Sequence, residues 1–246
     1  MLKEAIEYII SQSAPHVQTI NGEQYSDKRL TRIPCELMAA PIEVHTLTAI
    51  LDYIMQGVDG SVLDGDTRFV LHVQDYDRVT LTRELNRDLD REKLVTATDS
   101  TSTFPFGRWL SVEDFIVGMQ AYFVPDGMVA KLVELVSNIT DSRSVQQTDD
   151  GMTQSVTAKT GVVTRGTINV PNPVTLRPLC TFCEIKQPER RFVFRLRAGR
   201  TAEEGVTAAL FEADGNAWKR DVILGIRDYF AAELPDQFKE FVTVLA

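Results

Sequence analysis

Cys180-Thr-Phe-Cys183 has the spacing with which zinc ribbons hold a metal and thioredoxin-like proteins hold a disulfide. A closed zinc site needs four ligands, and the partner pair is missing: His16, His45 and His72 stand alone, Cys35 is isolated, and there is no second CxxC and no HxxxH. A redox pair belongs at a helix start, where the dipole lowers the thiol pKa. LCTFCEIKQ instead reads as extended, and in a strand positions 180 and 183 point to opposite faces, which neither chelate nor close a disulfide. The expectation is strand packing, with no metal.

RRFVFRLRAGR, from position 190, is the most pointed polar feature. Alternation puts Phe192, Phe194 and Leu196 on one face of a strand and Arg191, Arg195 and Arg197, interrupted by Val193, on the other. From 177 to 200, seven basic residues (Arg177, Lys186, Arg190, Arg191, Arg195, Arg197, Arg200) face two acids (Glu184, Glu189), giving +5 inside a chain of −9. Three readings stand for that row: a grip on a phosphate-bearing ligand, a contact with the acidic surface of another subunit, or a solvated face laced with ion pairs. FPFGRWL (104–110) sets three aromatics and Arg108 just before a capped helix, so Trp109 joins the ligand or interface candidates, against core packing of the helix entry.

Other chemistries lack their motifs. No GxSxG elbow, P-loop or GxGxxG occurs. The acid pairs Asp64/Asp66, Asp75/Asp77 and Asp149/Asp150 sit beside strand-like segments and read as turns. No cofactor is implied.

The elements that must position these residues follow from periodicity. LKEAIEYIISQ (2–12) and TLTAILDYIMQG (46–57) are amphipathic, the second with Thr46 as cap and Gly57 as stop. Between them turns and short extended pieces are expected. RFVLHVQ, RVTLTREL and KLVTATD read as neighbouring antiparallel strands. SVEDFIVGMQAYF, with a capping pattern at Ser111 and Asp114, and a helix over about 128–139 make a hairpin broken at Pro125-Asp-Gly127. A β-rich stretch then runs to a helix over about 216–233, with Asp214 or Asn216 available to cap it.

The expected fold is α+β: antiparallel β-rich halves with a central helical hairpin and a C-terminal amphipathic helix. A division at 1–110 and 111–246 is expected, within what can be one continuous domain. The 246 residues carry 43% hydrophobic side chains, enough for a sizeable core, and no run long enough to span a bilayer. The −9 charge opposes general attraction to nucleic acid. Three cysteines without framework spacing fit a reducing compartment.

HTLTAILDYI, SVEDFIVGMQAYF, TDDGMTQSVTAKTGV, VPNPVTLRPLCTFCEIKQPERRFVFRLR and ALFEADGNAWKRDVILGIRDYF together resemble a family of bacteriophage and prophage proteins of unknown function typified by the enterobacterial YfdQ protein. The likeness covers most of the chain from about 45 onward, and its motifs are structural. It implies a phage gene of the accessory kind, working in the cytoplasm of the infected bacterial host, with no catalytic residues to carry over. The expected function is a non-enzymatic, self-assembling homo-oligomer. The alternatives are a binder of a phosphate-bearing nucleotide signal of host defence, or a recombination accessory on single-stranded DNA.

Overall fold

The computed structural model describes residues 3, 6–8, 17–20, 23–26, 38–60, 67–86, 89–140, 144–149, 153–160, 163–198 and 205–246. The helix expected over 2–12 lies outside them apart from positions 3 and 6–8, which are helical, as do His16, Cys35, the Asp64/Asp66 pair, Asp150 and Arg200.

In chain order the strands are β1 (Val17–Ile20), β2 (Glu23–Ser26), β3 (Ile42–Val44), β4 (Phe69–Asp75), β5 (Arg78–Leu85), β6 (Arg91–Thr98) and β7 (Leu110–Ser111). They continue with β8 (Ser144–Asp149), β9 (Thr153–Thr160), β10 (Val163–Pro171), β11 (Val174–Leu176), β12 (Arg190–Ala198), β13 (Val206–Glu212) and β14 (Val242–Leu245). The helices are α1 (Leu47–Met55), α2 (Val112–Ala121), α3 (Gly127–Thr140), α4 (Trp218–Glu233) and α5 (Asp236–Lys239). With helices and strands in separate runs and both antiparallel and mixed sheets, the class is α+β.

Two compact units are resolved: Met1–Met38 with Asn86–Asp90, and Ala39–Leu85 with Arg91–Ala246. In the first, β1 and β2 pair antiparallel with Ile20 opposite Glu23.

The second unit has two cores. One rests on a five-stranded sheet, in the order β14-β4-β5-β6-β3. Its middle strands are antiparallel neighbours in sequence, whereas β14 runs parallel to β4 and β3 parallel to β6. The three middle strands thus pair antiparallel as expected, and the sheet is mixed because its two edges come from remote segments that no local turn signal announces. Leu47, Ile50, Leu51 and Ile54 of α1 and Trp218, Val222, Ile226 and Phe230 of α4 bury against Phe69, Leu71, Val79, Leu81 and Val95. These helical sets recur every three or four residues, the spacing of one helix face. Thr46 caps α1 by accepting from the Ala49 N–H. Neither Asp214 nor Asn216 is the cap residue of α4: that position is Ala217, with no side-chain cap bond. Beyond α4, α5 leads into β14.

The second core lies under the antiparallel sheet β11-β12-β13-β7. Phe192, Phe194, Leu196, Ala208 and Leu210 form its inner face, and the α2–α3 hairpin covers it with Phe115, Met119, Leu132, Leu135 and Val136. Ser111 Oγ accepts from the Asp114 N–H at 3.1 Å and donates to its carboxylate at 2.7 Å, while Asp126 accepts from the N–H groups of Met128 and Val129 at 2.9 Å each. Both helices thus start on satisfied donors. Strands β10-β9-β8 make a separate three-stranded antiparallel sheet.

Candidate functional site

The outer face of β12 carries the arginine row. Arg191 and Arg197 are exposed, Arg195 and Val193 half-buried, and Phe192 and Phe194 on the opposite side fully buried. On the neighbouring strands the same face holds Phe211, opposite Val193, and Trp109, just before β7. The Arg197 guanidinium lies 4.6 Å from the Trp109 ring centroid, and Trp109 meets Phe211 edge to face at 5.9 Å. Arg108 is exposed on the preceding turn, and no described contact joins it to the row. Phe106 faces the other way, stacked on Phe192 at 4.7 Å and 12°.

Arg190 departs from the row. It shares the parity of Phe192 and Phe194, so its side chain turns inward and is 3% exposed. Its Nε donates to Asp214 Oδ2 at 2.9 Å and its Nη2 to Glu212 Oε1 at 2.6 Å. Three rings surround the guanidinium, with centroids at 4.4 Å (Trp218), 5.2 Å (Phe192) and 5.5 Å (Phe106). Phe192 belongs to the second core and Trp218 to the first, so this one side chain joins them. Burial pushes the Asp214 carboxyl upward, but the hydrogen bonds from Arg190 and the Asn216 N–H outweigh it and hold Asp214 below its ordinary value. Counting Arg190 among the basic stripe missed this role. The available signal was its even position on an alternating strand.

The segment from 177 to 189 is the second connection between the cores, and it corrects the strand expected at LCTFCEIKQ. Only Val174–Leu176 is strand. Past it, Arg177 and Leu179 exchange backbone bonds with Val124 and Tyr122, and the chain then crosses to bury Cys180 and Phe182 in the first core. The Thr181 hydroxyl donates to the Tyr76 carbonyl at 2.5 Å. Gln187 closes the crossing: its Oε1 accepts from the Cys180 N–H at 2.9 Å, and its Nε2 donates to the carbonyls of Thr181 and Phe182 at 3.1 and 3.2 Å. Glu184 then accepts from the Thr48 N–H at 3.1 Å and its hydroxyl at 3.2 Å, at the start of α1.

In that turn Cys180 is buried and Cys183 exposed, both as free thiols. Burial pushes the Cys180 thiol up to about 11, against the pull of Arg190. The hydrogen bond from Cys183 to Glu184 keeps the Cys183 thiol protonated, which raises its pKa as well. Among the described residues no three His, Cys, Asp or Glu side chains gather where they could hold a metal.

Between this turn and α4 lies an open cleft of about 570 Å³, lined by Glu184–Glu189 and by Trp218, Asp221, Val222, Gly225 and Tyr229. Its volume falls in the range of small-ligand sites. Gly225 is mid-helix, where glycine costs roughly 1 kcal/mol against alanine. A Cβ built there meets nothing within 4 Å among the described residues.

Fold and surface thus define an α+β protein with two cores, a basic sheet face and an acid-rimmed cleft. No family model, curated protein or solved structure matches the chain.

Proposed function

We propose that the protein is a phage- or prophage-encoded accessory protein of the bacterial cytoplasm that acts without catalysis, as a self-assembled homo-oligomer. The observation that carries this reading is the outer face of the β11-β12-β13-β7 sheet, where Arg191, Arg195 and Arg197 stand with Trp109, Phe211 and Val193. Arginine and tryptophan are the residue types that anchor protein interfaces. The chain as a whole is acidic, at −9, so the exposed cations of this face are complementary in charge to the surface of a second copy. The phage origin rests on the resemblance of the sequence motifs. Among the described residues no helix is long and apolar enough to cross a membrane. Native mass measurement at micromolar concentration tests the reading: a discrete multiple of the chain mass is expected, and a single-chain mass overturns it.

The shared face of Arg191, Arg195 and Arg197 also favours a second reading, a phosphate-bearing small molecule gripped by guanidinium groups. Trp109 as a stacking platform counts against it, since Arg197 already lies on that ring. A melting temperature unmoved by a panel of nucleotides in excess would remove it.

A further inference from the structure

The cleft beside α4 is apolar at its floor, and its lining carries the acids Glu184, Glu189 and Asp221 against one cation, the exposed Lys186, so that acid predominates at its rim. Trp218 and Val222 are buried there, with Ile185 and Pro188 half-buried beside them. Glu189 and Asp221 are exposed at the rim and have no hydrogen bond or ion pair among the described residues. Glu184, by contrast, is engaged by Thr48. Gly225 keeps the floor open, and among the described residues no neighbour occupies the space its missing side chain leaves.

The basic face and the cleft share no residue and carry opposite charge. A chain of −9 repels its own copies at long range, so association is favoured where the sign is locally reversed, as it is at Arg191, Arg195 and Arg197 on the outer face of β12. An arginine also suits the shape of the cleft: its alkyl stem packs on apolar surface while its head reaches a carboxylate.

We propose that the cleft receives the basic sheet face of a second copy of this chain, with Arg191 and Arg197 of one copy directed at Glu189 and Asp221 of the other. The proposal rests on the homo-oligomer reading and names the surface that accepts the basic face.

Charge reversal on the full-length chain tests it. R191E/R197E places acid on the face, and E189R/D221R places base on the cleft. Each variant alone is expected to remain dissociated at concentrations where the wild type associates, because face and cleft then carry like charge. An equimolar mixture is expected to recover association, because the acid face of one now meets the basic cleft of the other. Matching thermal melts establish that the variants fold. Gly225→Leu adds a test that leaves charge untouched and improves helix propensity: filling the cleft is expected to weaken association at least tenfold. A cleft variant that associates as the wild type does, or a mixture that stays dissociated while both variants are folded, overturns the assignment of the cleft and leaves the homo-oligomer standing. A wild type that runs as a single chain overturns both.

Discussion

Arg190 brings a full charge to a position where its side chain is 3% exposed, and such a transfer costs several kcal/mol before any partner acts. Asp214 and Glu212 offset that cost, and the rings of Trp218, Phe192 and Phe106 add cation–π attraction. Removing the cation strands Asp214, whose side chain is 10% exposed, whereas Glu212, 46% exposed, turns to water. Arg190→Met is therefore expected to cost about 3 kcal/mol, at the low end for breaking a buried pair. Denaturant unfolding measures it, and a loss below about 1 kcal/mol would show that packing, not charge, joins the cores there. The carboxylate gives the complementary prediction. Asp214 has a folded pKa below its ordinary 3.8, so the stability it adds is complete above that value and is lost as pH falls through the folded pKa. Stability should decline on acidification below about pH 4, and Asp214→Asn should flatten that decline while lowering stability near neutrality. An Asp214→Asn chain with an unchanged acid limb would assign the pH dependence to other carboxylates.

At the scale of elements, the hairpin of α2 and α3 is fixed by the Ser111 and Asp126 caps and by a close approach. A Cβ at Gly118 would lie 2.8 Å from Phe104 Cε2, in a ring cluster that includes Phe115 and Phe123. Gly118→Ala is thus expected to destabilise by about 1–3 kcal/mol, although alanine is the better helix former. A more stable Gly118→Ala chain would mean that Phe104 moves aside freely. Periodicity made these helices legible, and it made β4–β6 and β12 legible, because each carries its pattern within a few residues. What it left out is non-local. The pairing of β14 with β4 joins residues far apart in the sequence, and Phe69 N–H donates to the Phe241 carbonyl at 2.7 Å only once that pairing exists. LCTFCEIKQ misled for the same reason. Its apolar residues look like a strand, but Cys180 and Phe182 are buried by the first core across a turn that Gln187 holds. Of the site, the row of Arg191, Arg195 and Arg197 was legible from alternation. The cleft was not, since its two walls, 184–189 and α4, meet only in the folded chain.

For the whole molecule, the buried and exposed charges should respond differently to salt. The Arg190–Asp214 pair is shielded from mobile ions, so ionic strength has little purchase on it, and the melting temperature should hardly register its contribution changing. Arg191, Arg197, Glu189 and Asp221 are exposed, and their attraction between copies acts over about 10 Å at 0.1 M salt but about 3 Å at 1 M. Raising salt across that range should slow association roughly tenfold or more and change dissociation far less, because steering between complementary surfaces acts before contact forms. Light scattering after dilution and mixing separates the two rates. Association that is indifferent to salt would place the contact on Trp109, Phe211 and Val193 as apolar surface, and the charge-based docking of face to cleft would then fail even in a chain that assembles.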